Sequence, residues 1–204
     1  MSINRILGKA SLIFVLLFTQ CSTPVLQKKD VPSIQGNEQL RVRAPETTWE
    51  PVYFAEIDKL AKTAKLSNLK ATTLPTDDLE IRFWGGFGIT ALQGFAIKRS
   101  AGTWSALHVT DPQYKHVKYL AVPKSGWETL WKRLVDQSIL TLPDSSQLED
   151  EVHLKDGISY VVEINMDGAY RTYHYQNPQE QKWNEAKQIV KINSILYEEF
   201  SPRK

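Results

Sequence analysis

The chain has 204 residues, 42% of them hydrophobic, with 25 Lys and Arg against 23 Asp and Glu and a single cysteine. One cysteine excludes any disulfide within the chain, so a hydrophobic core must hold the fold together, and this composition suffices for one domain. The near balance of charge excludes a nucleic-acid binder, whose affinity rests on a surplus of phosphate-neutralising cations.

The N-terminus carries Arg5 and Lys9, then an apolar run from Ala10 to Phe18, and no acid before Asp30. That order is the layout of a secretory signal. The run is too short to span a bilayer, which takes about 20 residues. Cys21 stands at its foot, preceded by Phe18, Thr19 and Gln20. A cysteine so placed resembles the acylation site of bacterial lipoprotein precursors, in which a Leu and two small residues come before the modified Cys. Cys21 is the position that fits. The resemblance covers only the start of the chain, and the body is similar to exported bacterial proteins of uncharacterised activity. It implies cleavage of residues 1–20, lipidation of Cys21 and a membrane anchor in the cell envelope, periplasmic or on the outer surface. Cleavage would remove Arg5 and Lys9 and no acid, leaving 23 cations against 23 acids.

Residues 21–50 read as the lipidated N-terminus and a flexible tether. Pro24, Pro32, Pro45 and Pro51 punctuate a polar stretch without apolar period, so no helix or strand is expected. A flexible chain of this length averages roughly 25–30 Å end to end, enough to lift a domain clear of lipid headgroups.

A single globular domain is expected over 51–204. Phe54, Ile57, Leu60, Ala61 and Ala64 share one helical face. Leu79, Ile81 and Phe83 then alternate with Glu80, Arg82 and Trp84, as in a strand. Gly85, Gly86 and Gly88 interrupt it. A hairpin follows over Leu92–Arg99 and Thr103–Thr110, closed by Ser100, Ala101 and Gly102, with a further strand at His116–Val122. Ser125 and Glu128 have capping-box spacing ahead of a helix with Trp127, Leu130, Trp131, Leu134 and Val135 on its apolar stripe. The last helix is expected to start with Asn177 as cap and Pro178 in the first turn, and to bury Trp183, Ala186, Ile189, Val190, Leu196 and Phe200.

Between these helices a three-stranded meander is expected, turning at Asp156-Gly157 and Asp167-Gly168. Read as three-residue loops, these turns set Glu163 opposite Arg171 and Tyr160 opposite His174. The charge pairing favours that register. It places Val152, Leu154, Ile158, Tyr160, Val162, Ile164, Tyr170 and Thr172 on the core face. Glu151, His153, Ser159, Glu163, Arg171, Tyr173 and Tyr175 take the other.

Few of these residues form a chemical signature. Gly85-Gly86-Phe87-Gly88 lacks the helix and the Lys-Ser/Thr ending of a phosphate loop and reads as a bend. Asp144, Glu149, Asp150, Glu151, His153 and Asp156 match no EF-hand spacing and read as a solvated loop. His108, His116, His153 and His174 sit in no hydrolase pattern, and no G-x-S-x-G occurs. No metal or cofactor is indicated. The aromatic content is the remaining signal. Trp127, Trp131 and Trp183 fall on helical core faces. Trp84, Trp104, Tyr173 and Tyr175 fall opposite the core-facing residues of their strands, where a second layer covers them or they form an open surface.

The sequence therefore reads as α+β: a single mainly antiparallel sheet of about seven strands with two or three helices packed on one face. The function expected is that of a non-enzymatic binding module anchored in the envelope, engaging an envelope protein or cell-wall component. Its candidate face is Trp84, Trp104, His153, Glu163, Arg171, Tyr173 and Tyr175. The alternative is a hydrolase acting on a cell-envelope polymer.

Overall fold

A computed structural model of the chain describes residues 49–88, 90–110, 117–149 and 156–201. The signal, Cys21, most of the tether, His116, His153 and the expected strand with Val152 and Leu154 lie outside the described residues. The fold is α+β. Among the described residues one antiparallel sheet has six strands rather than seven: β1 (Leu79–Gly86), β2 (Gln93–Ser100), β3 (Thr103–Thr110), β4 (Val117–Tyr119), β5 (Ser159–Met166) and β6 (Ala169–Gln176). Their spatial order is β4-β3-β2-β1-β5-β6. Three helices accompany it: α1 (Glu50–Thr63), α2 (Trp127–Asp136) and α3 (Asn184–Phe200).

The helices lie on both sides of the sheet. Alternation along the paired strands puts Leu79, Ile81, Phe83, Phe95, Val162 and Ile164 on one face. That face carries α2 and α3, with Phe95 against Tyr197 and Phe200 of α3 and Trp104 against Trp127 and Trp131 of α2. The other face presents Trp84, Val109 and Val161, which form a buried cluster with Ile57, Leu60 and Ala61 of α1. Two helices thus share one face as expected, while α1 covers the other. Every residue of β1 and of β5 is buried as a result.

Close packing constrains β2 at one point. A side chain on Gly94 would bring its Cβ within 2.2 Å of the Trp84 ring, so glycine lets the indole lie flat against the neighbouring strand. The glycine run after Trp84 is the expected bend: β1 ends at Gly86, the chain turns, and the Phe87 ring packs edge-on to Tyr53 at 4.7 Å.

Three local expectations are corrected. The β5–β6 loop has two residues, with Met166 paired to Ala169 and both Asp167 and Gly168 at positive φ (51° and 75°). Such a turn matches the twist of the strands it joins. Arg171 therefore opposes Ile164, Glu163 opposes Thr172, and Tyr160 opposes Tyr175. The Ala101-Gly102 loop closes the β2–β3 hairpin in the same way.

The Ser125–Glu128 capping box does not form, since α2 starts after Gly126 without a side-chain cap. Glu128 instead accepts a hydrogen bond from Trp104 Nε1 at 3.2 Å. The Ser125 N–H is taken by Glu199 of α3 at 2.9 Å, which sets a carboxylate near the positive end of α2. Arg133 of α2 holds the same carboxylate and that of Glu198.

The last helix starts at Asn184, not near Pro178. Asn177 is committed to Ile158: its N–H and its Oδ1 pair with that residue's C=O and N–H, both at 2.9 Å, extending the β5–β6 ladder. Val135 is more than one-third exposed and lies off the α2 core stripe.

Trp131 is almost fully buried beneath Trp104. Trp131→Ala is expected to lower stability by about 3–5 kcal/mol, the usual result of emptying a buried indole site. Chemical denaturation of parent and variant checks this, and an unshifted midpoint would contradict the packing described.

Candidate functional site

The face beneath α1 carries three buried charged residues of the sheet. Alternation in β1 directs Glu80 and Arg82 toward α1, and the β1–β5 register brings Glu163 directly across from Arg82. All three are nearly sealed from solvent, with Arg82 at 2% and Glu163 at 3% exposure. Burying charges this way is costly unless each is paired and hydrogen-bonded. Arg82 Nε donates to Glu80 Oε1 at 2.7 Å, and Nη2 lies 2.6 Å from the same oxygen. Nη2 nevertheless lacks a hydrogen-bonding geometry to any acceptor. Glu163 turns elsewhere: its Oε2 accepts from Trp84 Nε1 at 2.7 Å and its Oε1 from the Tyr170 hydroxyl at 3.1 Å. Burial raises the pKa of Glu163 above the ordinary carboxylate range, against the pull of Arg82 and those two donors. Tyr170 is pushed far up by its own burial and by the Glu163 charge beside it.

A cavity of about 950 Å³ opens between α1 and this part of the sheet, with Arg82 and Glu163 among its lining residues. Phe54, Ile57 and Ala61 of α1, with Leu66 and Leu69 beyond its end, supply apolar walls. Asp58, Lys62, Lys65 and Lys70 are exposed around it. A concave apolar site with a few converging polar groups is the usual form of a ligand pocket.

The residues expected to form one open face are split across the sheet and covered. Trp84 and Glu163 lie under α1, whereas Trp104, Arg171, Tyr173 and Tyr175 lie on the α2–α3 side. Tyr173 and Tyr175 are fully buried, and their hydroxyls donate to the carbonyls of Ile139 at 2.7 Å and Pro143 at 2.8 Å. Arg171 donates from Nη1 to Leu140 O at 2.9 Å and from Nη2 to Leu142 O, with its guanidinium 4.9 Å above the Tyr173 ring. These three side chains hold the 139–143 segment onto the sheet rather than facing solvent. Trp104 is half-buried, stacked on Trp127 at 5.9 Å. The one-residue register difference and the helix layers on both faces together remove the open surface. Among the described residues of that set, only Glu163 lines the cavity. Arg82 and the α1 residues that join it lie outside the expected set; Glu80 and Arg82 within a strand of large apolar residues are the signal in the sequence that points to them.

Asp144 also departs from the solvated loop expected of it. It is buried, and its carboxylate accepts from Trp49 Nε1 at 3.1 Å, the Ser146 N–H at 3.0 Å and the His174 N–H at 2.9 Å. No cluster of metal-ligating side chains occurs among the described residues. No family model, curated protein or solved structure matches this chain.

His174 lies on the α1 side between the rings of Trp49 and Tyr53, at 5.0 and 4.5 Å. Burial pushes its pKa down to about 4, partly opposed by Asp144. An unfolded histidine titrates near 6.5, so between pH 6.5 and 4 the unfolded chain takes up a proton that the folded chain refuses. That contribution to stability is complete above pH 6.5 and falls on acidification, by about 3 kcal/mol over the full window. Glu163, with its raised pKa, acts in the opposite direction in acid. His174→Gln is therefore expected to flatten the loss of stability between pH 6.5 and 5. Urea titrations of parent and variant across that range check it; parallel pH slopes would contradict it.

Proposed function

We propose that this protein is a non-enzymatic binding module of the cell envelope, held to the membrane by lipid on Cys21, and that it takes its ligand into the cavity beneath α1. The observation that carries the site is a cavity with apolar walls and a charged rim that reaches down to two buried, oppositely charged residues on neighbouring strands, Arg82 held by Glu80 and Glu163 held by Trp84 and Tyr170. The cavity volume of about 950 Å³ is at the upper end of the range typical for small-molecule sites. The anchor is supported by the sequence: a basic and then apolar N-terminus, the sole cysteine at its foot, and a polar, proline-punctuated tether. A cell-wall component or an envelope partner carrying a small group into the cavity suits that location.

A hydrolase acting on an envelope polymer is the second reading, and one observation favours it. Glu163 is among the residues lining the cavity, and burial shifts its carboxyl upward, the direction that suits a general acid.

Two measurements test the proposal. Cys21→Ser is expected to move the protein from the membrane to the soluble fraction and to abolish incorporation of labelled fatty acid. Unchanged partitioning together with retained label would overturn the anchor. For the site, native mass spectrometry of protein extracted from envelope membranes should show a bound small molecule that Ser67→Trp, which obstructs the cavity from an exposed lining position, reduces at unchanged melting temperature. Equal occupancy in parent and variant would overturn the cavity as the binding site.

A further inference from the structure

This inference rests on the cavity under α1 being the ligand site. We infer that its ligand is a single-chain anionic amphiphile, its alkyl chain along the apolar wall and its head at the mouth between Lys62 and Lys65. Exposure decides what a ligand meets there. Arg82 and Glu163 are only 2% and 3% exposed and already held, Arg82 by Glu80 and Glu163 by Trp84 and Tyr170. The floor therefore offers a head group almost no polar surface. Phe54 and Leu66 are the half-buried parts of the wall, with Ile57, Ala61 and Leu69 buried in the same lining. The polar groups within a ligand's reach stand at the rim.

The rim then selects the charge of the head. Glu50 and Lys70 pair at 3.4 Å and cancel. Asp58, Lys62 and Lys65 make no ion pair among the described residues, which sets two cations against one acid. Glu80, Arg82 and Glu163 beneath them sum to one negative charge when all are ionised. The whole site is then neutral, and its sign depends on position: acid at the floor, lysine at the mouth. Asn68 adds to the mouth, since its side-chain oxygen accepts from the Ala71 N–H and its NH2 remains a donor. The two lysines are not required to finish the helix. The N–H groups of Ala64, Lys65 and Leu66 already bond to the carbonyls of Leu60, Lys62 and Ala61, with Lys65 left-handed at a φ of 56°. An ammonium head would meet Lys62 and Lys65 as like charges, and a neutral head would use neither charge. An anion at the mouth pairs with both and stays partly in water, so it avoids the cost of carrying charge to the floor.

The test uses the purified full chain at pH 7 and three probes of matched chain length, kept below their micellar concentrations: sodium decanoate, decyltrimethylammonium bromide and 1-decanol. Calorimetric titration is expected to show decanoate binding about fivefold tighter than decanol and at least about tenfold tighter than the ammonium, the scale of two exposed ion pairs made or reversed. Raising sodium chloride from about 0.02 to 0.5 M should narrow the gap between decanoate and decanol. Lys62→Glu combined with Lys65→Glu should reverse the order of decanoate and the ammonium. Lys59→Glu, exposed on α1 but outside the cavity lining, should leave that order unchanged. Should the double variant melt early, the parent's probe order and its salt dependence carry the test alone. If decanol or the ammonium binds the parent as tightly as decanoate and Ser67→Trp removes that binding, the anionic assignment is overturned and the cavity stands as a site. If no probe binds, the inference is overturned, and native mass spectrometry of membrane-extracted protein decides the cavity separately. Binding that Ser67→Trp leaves unchanged would overturn the cavity itself.

Discussion

The architecture depends on β1 and β5 being covered on both faces. A strand with one wet face can leave its polar residues in water, whereas these two strands bury all of theirs. Glu80, Arg82, Glu163 and Asn165 must therefore find partners inside the protein, and the surrounding layer is arranged to supply them. Asn165 donates to the carbonyls of Leu69 and Thr72 at 2.9 and 2.6 Å, which fixes the short 3-10 turn Leu69–Ala71 against the sheet. Trp84 and Tyr170 do the same for Glu163. A polar group that packing alone would exclude becomes the reason each neighbour sits where it does.

The chain's periodicities carry much of this fold. The apolar stripe of α1, the alternation of β1 and the hairpin over β2 and β3 follow from local spacing, and the α+β class follows from them. What spacing leaves open is the register of β5 and β6, because Asp-Gly, a preferred pair of the two-residue turn, also fits a three-residue loop with its glycine left-handed. The Glu163–Arg171 charge pair pointed to the longer loop. Such a pair contributes only about 0.2–1 kcal/mol when exposed. The shorter loop buries the rings of Tyr173 and Tyr175 with their hydroxyls bonded and lets Arg171 hold two carbonyls, a far larger gain. Long-range packing decided the matter, and a one-residue change turned every side chain of β6 to the other face.

The helix starts were obscured for a related reason. Ser125 and Glu128 have capping-box spacing, but Trp104 claims Glu128 from another element, and Glu199 reaches Ser125 from α3. Asn177 has the composition of a cap, yet the sheet claims it first through Ile158. Residues of this kind compete for backbone donors wherever those lie. A local motif can show that a donor needs a partner without showing which partner arrives. The candidate site shares that limit, since Arg82 belongs to it only once β5 brings Glu163 alongside and α1 closes above.

How α1 closes explains why a cavity is there at all. At one end Trp49, immediately before the helix, donates to Asp144, and the same carboxylate satisfies the His174 N–H of β6. One buried acid thus ties the start of α1 to a strand at the end of the sheet and occupies an edge donor that would otherwise invite another chain. At the other end the Leu66 N–H bonds to Ala61 O, and the turn at Leu69 is held by Asn165. The helix is fastened beyond both of its ends and packed through Ile57 and Leu60 onto Trp84, Val109 and Val161. Arg82 and Glu163 lie beside that apolar contact, where Phe54, Ile57 and Ala61 supply hydrocarbon and the helix's own charged residues Asp58 and Lys62 stay exposed. Closing α1 more tightly over them would also draw Asp58 and Lys62 out of water, at a desolvation cost of its own. The open volume is the physical outcome: the helix rests on its apolar stripe, its charged residues stay in water, and a space remains between them and the buried charges of β1 and β5.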